Sequence, residues 1–515
     1  MKFTTMDELD ATPGLLTVWR AVPRGAPVGA GEAGWVADGR AASYVQEAHI
    51  VGALAGGRGA ERAPAWLASA FELPGADAEA LERALLAWID RHESLRSRLV
   101  PADGRGPDGL RRVTLPAGGV ALRRDVEGRF ESGKLLASRI EEVFDAETDP
   151  LAWPSFVFAT VEHTDGLTLY LGFDHSNVDG YSILLIAHEI RELYTAATPG
   201  TPAELNEVGS YLDFADTERA YAALVHDEHE AVVRWREFLG SGGGRLPEFP
   251  LAAGGGPGVP DPTAEAPGEQ LGGCDWLLDA STAQAFQSAC RDHGGNFLTG
   301  VLACLALVSR EEGGAGAEDA ENAEPGRRGR AHGEFRALTP FHTRSDARWT
   351  HSVGWYVGVA PLRVPVLGDD TFADVLPAAS AALDGASEMA AIPFPRVSEL
   401  LGKRLRPRFV VSYMDMRRTP GARQWGAWRA AALRSRCLDP DEVYLWINRT
   451  YEGVYVSFRH PATEHARLAV SRLVAGTGRL MDRVAGAGAP GRPVDMNDVL
   501  LRDLVPARQQ EPAPC

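Results

Sequence analysis

The segment GFDHSNVDGYS at residues 172–182 holds the side chains best suited to chemistry. It places His175 and Asp179 just after a predicted strand, with Gly180 and Ser182 leading into a predicted helix. Histidine is the usual general base because its reference pKa of about 6.5 is close to neutral pH. A loop at a strand end can hold such a ring at a cleft. The spacing alone leaves two interpretations open: a catalytic base, or a histidine satisfied at a strand end beside a helix-capping residue.

The elements that would position this loop are predicted from the spacing of apolar residues. Alternation predicts a strand at 167–174, and a helix follows at 181–194. Upstream, helical spacing predicts a helix at 77–92, and SYVQEAHI at 43–50 is strand-like. In the second half the predicted helices are 281–293, 296–310 and 464–485, and the predicted strands are 336–343, 354–366, 408–416, 442–448 and 453–459. Strands interleaved with helices predict an α/β or α+β protein with mixed sheets.

Three motifs follow one another along the chain: RHESLR at 91–96, HSNVDG at 175–180 and HSVGWYVGVAPLRV at 351–364. In type and order they resemble motifs of the condensation-domain superfamily. Its members are thioester-dependent acyltransferases with the fold of chloramphenicol acetyltransferase. The family signature HxxxDG is met by His175, Asp179 and Gly180. Upstream, RHESLR at 91–96 resembles the family's RHExLR element. Downstream, HSVGWYVGVAPLRV at 351–364 resembles its Gly-aromatic strand that ends in Pro-Leu-Arg.

The resemblance covers about 64–480, and segments 43–50 and 446–461 place it closest to free-standing polyketide-associated acyltransferases. It implies two chloramphenicol-acetyltransferase-like lobes that form a V-shaped pseudo-dimer with a central tunnel. The predicted units are an N-terminal acyltransferase lobe at 1–205, a connecting helix and Gly/Pro-rich loop at 206–273, a C-terminal acyltransferase lobe at 274–487 and a flexible tail at 488–515.

The resemblance also implies roles for the residues of the motifs. His175 is expected to take the proton of a hydroxyl or amine as it attacks the thioester carbonyl, without a covalent acyl-enzyme. Asp179 is expected to be a structural anchor, ion-paired with Arg91 or Arg96. Gly180 is expected to allow close backbone packing or an unusual dihedral angle. The expected oxyanion or substrate contacts are backbone N–H groups near the glycine and the side chains of Ser182 and Tyr356.

Two departures from the family pattern keep other functions open. Residue 174 is Asp, so the tandem histidine of peptide-synthetase condensation domains is absent. Asp174, Asp179 and Ser182 also satisfy DxxxxDxxS, the signature of heterocyclisation domains, although those domains normally lack the His and Gly that this segment has. A heterocyclisation-type enzyme therefore stays as one alternative. A catalytically inactive carrier-docking module is another, and the intact His175 argues against it.

The composition limits the classes of partner and compartment. The chain has 52 Lys and Arg against 70 Asp and Glu, a net charge of −18, so nucleic acid is not an expected partner. The stretch 297–308 is shorter than the ~20 apolar residues of a membrane span, and the N-terminus does not resemble a signal peptide. The five cysteines lie far apart, and no His/Cys cluster suggests a metal. We expect a cytoplasmic monomer.

The implied co-substrate is a phosphopantetheine thioester, either acyl-CoA or an acyl-carrier protein supplied in trans, with no permanently bound cofactor. The acceptor is a small or carrier-bound hydroxyl or amine, with ester formation favoured, in natural-product (nonribosomal peptide or polyketide) or lipid biosynthesis. Because carrier proteins are typically acidic, a local basic surface should dock them. The predicted docking cluster is Arg404, Arg406, Arg408, Arg417 and Arg418.

Overall fold

The structure of the protein is a computed structural model. It describes residues 1–25, 34–55, 64–75, 77–102, 109–164, 166–197, 202–251, 270–315, 333–437, 439 and 441–487. The tail predicted at 488–515 lies outside these residues. Within them the chain forms eleven α-helices and sixteen strands, and the strands make three sheets.

The bounds of the elements are as follows. The helices are α1 (Tyr44–Ala55), α2 (Ala78–Arg91), α3 (Gly133–Glu147), α4 (Gly180–Ala196), α5 (Tyr211–Ala223), α6 (Glu230–Ser241), α7 (Ala280–Asp292), α8 (Phe297–Ala315), α9 (Phe372–Met389), α10 (Phe394–Leu400) and α11 (Glu464–Ala487). The strands are β1 (Phe3–Thr4), β2 (Gly14–Pro23), β3 (Val36–Asp38), β4 (Trp66–Leu73), β5 (Ser97–Pro101), β6 (Leu110–Thr114), β7 (Val120–Phe130), β8 (Phe156–His163), β9 (Gly166–Asp174), β10 (Gln270–Asp279), β11 (Gly333–His342), β12 (Val357–Val366), β13 (Phe409–Asp415), β14 (Ala431–Arg434), β15 (Val443–Arg449) and β16 (Gly453–Pro461).

The first sheet has seven strands in the order β1-β14-β4-β9-β8-β2-β7, with β9 near its centre. Successive side chains of a strand point to opposite faces. On β9, Leu171 and Phe173 therefore join the core beneath α2 and α4, while Tyr170 packs on the opposite face with α3. Both faces are buried, so the strand is rigidly held up to Asp174. The predicted strand at 167–174 is confirmed.

The helix predicted at 77–92 is confirmed as α2. It begins where the Asp77 carboxylate accepts the backbone N–H groups of Glu79 and Ala80, which satisfies two donors that a helix start leaves open. Its apolar side chains recur at helical spacing and are fully buried, among them Leu85 and Trp88. This face packs against α4, the helix that follows the HxxxDG loop.

The second sheet has six strands in the order β10-β16-β15-β13-β11-β12 and carries the core of the second half of the chain. The helices α7, α8, α9 and α11 pack over it. The strands and helices predicted in the second half are confirmed, with bounds that shift by up to five residues. β3, β6 and β5 form a small third sheet.

One strand of the second half belongs to the first sheet. β14 pairs antiparallel with β4, where Ala432 lies opposite Ser69, and β1 pairs parallel with β14. The mixed α/β architecture that the sequence predicted is therefore observed. The boundary predicted at 206–273 stays a prediction, and β14 is a strand from beyond it that lies in the first sheet.

The strand-like segment SYVQEAHI is helical, so that prediction was wrong. It forms α1, whose first N–H group, on Tyr44, donates to the Glu218 carboxylate of α5 at 2.8 Å. Arg219 of α5 also pairs with Glu47 and donates to the carbonyl of Ala42. The free N–H group at the start of α1 is thus paired by α5, which lies far along the chain. The local spacing of residues does not reveal such a contact.

Candidate active site

His175 lies one residue past the end of β9, in a loop fixed by backbone and side-chain hydrogen bonds. Its own N–H donates to the carbonyl of Ala65 at 2.9 Å. Asn177 donates its N–H to the carbonyl of Asp174 at 3.0 Å, and its side-chain amide to Ser155 Oγ at 2.8 Å. The position of the imidazole is therefore set by a braced loop.

The His175 ring stacks on the Trp355 indole, with ring centroids 4.0 Å apart and an angle of 29° between the planes. Its Nδ1 is buried and has no hydrogen-bond partner among the described residues. Burial lowers the pKa of His175 below its ordinary 6.5, and the neighbouring His49 acts in the same direction. The ring is thus neutral near pH 7, the form that accepts a proton.

A second histidine, His49 on α1, reaches the same loop and was missed at the sequence level. Its Nε2 lies 3.0 Å from Asp174 Oδ2, and its ring meets Trp355 edge-on at 5.7 Å. One turn earlier, Gln46 donates its side-chain amide to the carbonyl of Ser176 at 2.8 Å. Three-residue spacing puts Gln46 and His49 on one helical face, a signal that appears only once the segment is read as a helix.

Asp179 is held by an arginine from the second half of the chain. The Arg344 guanidinium donates two hydrogen bonds to its carboxylate, at 2.8 and 3.0 Å. The backbone N–H groups of Ser182 and Tyr356 donate to the same carboxylate at 2.7 and 3.0 Å. Burial alone would raise the pKa of Asp179, but the Arg344 charge and the hydrogen bonds outweigh it and lower the pKa. Asp179 is an ionised anchor that also caps α4.

The expected pairing of Asp179 with Arg91 or Arg96 was therefore wrong. Arg91 pairs with Glu189 of α4 at 3.0 Å. Arg96 donates to the carbonyl of Leu115 and lies 3.5 Å from Asp90. The arginines of RHESLR therefore hold α2 against α4 and against the carbonyl of Leu115. The partner of Asp179 is instead Arg344, which belongs to no motif recognised in the sequence.

Ser182 and Tyr356 do not line an open surface, which corrects their expected contact with substrate. Both are fully buried, at 0% exposure. The Ser182 hydroxyl donates to the carbonyl of Gly354 at 2.9 Å and accepts from Arg344 at 3.0 Å. The Tyr356 hydroxyl donates to Ser352 Oγ at 2.8 Å. Their hydroxyls belong to the buried polar network around the Asp179–Arg344 pair.

Gly180 opens α4 without an unusual backbone. Its φ lies outside the left-handed region. A Cβ added there would meet Met414 Cε at 3.5 Å and Phe3 Cζ at 3.7 Å, both ordinary contact distances. Neither the dihedral angle nor the space requires glycine, so the expected reason for this residue was wrong.

The predicted docking arginines differ in how far carboxylates neutralise them. Arg408 lies 3.4 Å from both Glu248 and Asp441, and Arg417 pairs with Asp415 at 2.7 Å. The remaining members are exposed and form no ion pair among the described residues; they are Arg404, Arg406 and Arg418.

The described ranges contain no group of three or more His, Cys, Asp or Glu side chains able to hold a metal ion. None of their helices has the length and apolar character needed to cross a bilayer.

Comparison with known proteins supplies the family. The condensation-domain family model matches residues 65–309, a range that includes the His175 loop. The acyltransferase PapA3 of Mycobacterium tuberculosis (strain ATCC 25618 / H37Rv) is 27% identical over 459 residues, which cover 87% of this chain and 89% of that protein. The chain is therefore similar to the condensation-domain superfamily over the part that carries HxxxDG. The resemblance stated from the motifs is confirmed.

Further relatives of this chain have a solved structure or a named activity. The 2'-acyl-2-O-sulfo-trehalose (hydroxy)phthioceranyltransferase PapA1 of Mycobacterium tuberculosis (strain CDC 1551 / Oshkosh) is 27% identical, covering 81% of this chain and 74% of that protein. The solved PapA2 acyl transferase superposes with a TM-score of 0.76 at 23% identity, over 94% of this chain and 100% of that one. The first condensation domain of the calcium-dependent antibiotic synthetase gives 0.62 at 18% identity, over 88% and 98%. The fold is that of condensation domains, and the chain is an acyltransferase.

Proposed function

We propose that this protein transfers an acyl group from a phosphopantetheine thioester, acyl-CoA or an acyl-carrier protein, to a hydroxyl group of a small-molecule acceptor. The observation that carries the proposal is the His175 imidazole, which is neutral and held in a braced loop beside an ion pair that joins the two halves of the chain. Two lobes that meet at this histidine are part of the proposal.

In the proposed mechanism His175 Nε2 accepts the proton of the acceptor hydroxyl as its oxygen attacks the thioester carbonyl. The tetrahedral intermediate collapses with loss of the thiolate, and the imidazolium returns the proton to that sulfur. An ester and a free thiol are released, and His175 is regenerated. General-base help of this kind contributes ~10²–10⁴-fold, and holding both substrates in place adds to it.

The surroundings of His175 supply orientation in this scheme. Trp355 fixes the plane of the imidazole through the stacked contact. The Asp179–Arg344 pair fixes the start of α4, whose first N–H groups, near Gly180, are the proposed donors to the oxyanion. His49 of α1 and Asp174 form a paired contact on the α1 side of the His175 loop.

A hydroxyl acceptor is favoured over an amine. An alcohol must lose its proton as it attacks, so it depends strongly on a positioned base such as His175, whereas an amine can lose its proton afterwards. The names of the relatives PapA1 and PapA2 refer to trehalose derivatives as their substrates. A carbohydrate hydroxyl is therefore the first acceptor to test, in lipid or natural-product biosynthesis.

The contacts weigh against a heterocyclisation-type reaction. The carboxylate of Asp179 is fully engaged with Arg344 and two backbone donors, and that of Asp174 with His49 and the N–H of Ser176. Neither is free to act as a base in the way a second cyclisation step would need.

The experiment that tests the proposal measures release of free thiol when the purified protein is incubated with a panel of acyl-CoA and acyl-carrier donors and carbohydrate acceptors. Mass spectrometry then identifies the product. We expect acceptor-dependent thiol release and an ester that mild alkali cleaves. A product that survives mild alkali through an amide bond would contradict the hydroxyl assignment.

A further inference from the structure

A second charged group of side chains lies between the two large sheets and has no part in the mechanism above. It consists of Arg434, Arg459, Tyr444, Trp446 and Glu442, and we call it the arginine–aromatic cluster. The Tyr444 and Trp446 rings stack 4.1 Å apart at an angle of 11°. The Arg434 guanidinium lies 4.6 Å over the Trp446 ring, and Arg459 lies 5.4 Å from the same ring.

The cluster is close to the candidate active site through the strand register. Arg434 lies opposite Leu67 on β4, and Leu67 lies opposite Phe173 on β9, two residues before His175. Neighbouring strands are about 4.8 Å apart, so the backbone of Arg434 is roughly 10 Å from β9. Its side chain leaves the first sheet and donates to the carbonyl of Phe458 on the second sheet, at 3.4 Å. Arg434 therefore spans the space between the sheets near His175.

The charges of the cluster do not balance. Arg459 is paired with Glu442, but Arg434 has no carboxylate within ion-pair distance among the described residues. Burial, and then the charge of Arg459, lower the pKa of Arg434 to about 10, so it stays protonated at neutral pH. Two neighbouring guanidinium groups thus have one ion-paired carboxylate between them, and Glu8 adds only a smaller electrostatic influence on Arg434. Like charges placed together in a half-buried site are unfavourable unless an anion joins them.

Unused hydrogen-bond donors accompany this excess positive charge. Arg459 Nε and Ser457 Oγ are buried without a partner in the described part of the chain. Ser457 lies opposite Trp446 in the β15–β16 register, so both side chains share the face on which the arginines lie. Guanidinium groups and a hydroxyl on one face are the donors that a tetrahedral oxyanion accepts from.

We infer that the arginine–aromatic cluster is an oxyanion-binding subsite that holds a phosphate or sulfate group of a substrate. The inference rests on the proposed acyl transfer. The group has two sources with the same chemistry: the phosphate of the phosphopantetheine donor, or an anionic substituent of the acceptor. In either case Arg434 would fix the substrate at a set distance from His175.

Binding is tested first with inorganic sulfate, measured by titration calorimetry on the full chain. We expect saturable binding that Arg434→Gln weakens roughly 10- to 100-fold, the range for a charged hydrogen bond. Arg434→Lys, which keeps the charge but loses the planar fork, should fall between the two and also serves if the Gln variant does not fold. Wild-type affinity in both variants would overturn the inference.

Arg191 provides the matched control. It too has no carboxylate partner among the described residues, lies 4.8 Å over an indole, that of Trp428, and donates to a backbone carbonyl, that of Glu72. Arg191→Gln should leave sulfate binding unchanged. A loss equal to that of Arg434→Gln would mean that the effect is not specific to the cluster and would contradict the inference.

Kinetics then distinguish the two sources. If Arg434→Gln raises the KM for acyl-CoA but not for an S-acyl-pantetheine that lacks the phosphate, the subsite binds the donor. If the variant raises the KM for a sulfated sugar but not for its unsulfated form, the subsite binds the acceptor. Unchanged KM values for all four substrates would overturn a role in substrate binding. Because sulfate binding needs no turnover, a protein that binds sulfate but transfers no acyl group would contradict only the proposed function.

Discussion

The imidazole of His175 lies in surroundings that disfavour its charged form. Because burial and the neighbouring His49 lower its pKa below 6.5, the neutral base is already dominant at neutral pH. We predict that kcat/KM rises with pH in an acid limb whose midpoint lies below pH 6.5, and that it is level at higher pH. His49→Gln removes one of the influences that lower this pKa, so the limb should move to higher pH. A wild-type profile whose acid limb has its midpoint at or above pH 6.5 would contradict the lowered pKa of His175.

The Asp179–Arg344 pair should contribute more to stability than any exposed pair of the chain. Its side chains are 2% and 4% exposed, so removing one partner leaves a buried charge. We predict that Asp179→Ala and Arg344→Ala each lower the free energy of unfolding by about 3–5 kcal/mol. Denaturant titrations of both variants and of the double variant measure the coupling between them.

Arg348→Ala is the control for that cycle, because the Arg348–Asp346 pair is 58% and 45% exposed and should be worth under about 1 kcal/mol. Additive losses in the Asp179–Arg344 double variant would show that the two side chains do not stabilise each other.

At the scale of elements, α1 has an acidic contact with an unusual pH dependence. Glu218 accepts the N–H of Tyr44 at the start of α1, yet burial raises its pKa from 4.5 to about 7. Between these values the folded state binds the proton more tightly than the unfolded state, so this group stabilises the fold less as pH rises from 4.5 to 7. We predict that Glu218→Gln stabilises the protein by about 1–3 kcal/mol at pH 8 and not at pH 4.5. Melting curves across this range measure it, and a destabilised variant at pH 8 would refute it.

The elements that the sequence predicts well are those whose burial pattern is local. β9 and α2 carry their apolar residues at periods of two and 3.6, and both were located from spacing alone. α1 was misread because its start depends on α5 and its active-site face carries Gln46 and His49. HxxxDG located the candidate site, but the partner of Asp179 is Arg344, 165 residues later, and only folding brings the two together.

At the scale of the whole molecule, β14 marks the limit of prediction. Its four residues have no strong pattern of their own, and they form a strand because β1 and β4 provide partners on both sides. The same strand carries Arg434, so the arginine–aromatic cluster could not be predicted from the sequence either.

A chain with a net charge of −18 would repel an acidic carrier protein, so we expect docking of such a donor to depend on exposed arginines. Among the predicted docking residues, Arg404, Arg406 and Arg418 are exposed and not neutralised. We predict that their reversal to Glu raises KM for an acyl-carrier donor several-fold at low salt, and that added salt weakens docking to the wild type.

Arg472→Glu on the exposed side of α11 is the control for charge reversal. An equal rise in KM for this variant, or no rise for the three docking arginines, would rule out this docking surface.

His175 is the residue on which the proposed reaction depends most. The measurement that tests it directly is the turnover of His175→Ala with a thioester donor that the wild type uses, after circular dichroism has established that the variant is folded. His188→Ala, a partly buried histidine on α4, serves as the control. We predict that His175→Ala loses ~10²-fold or more in kcat while His188→Ala stays near wild type. Turnover of His175→Ala within a few-fold of wild type would contradict the assignment of His175 as the catalytic base.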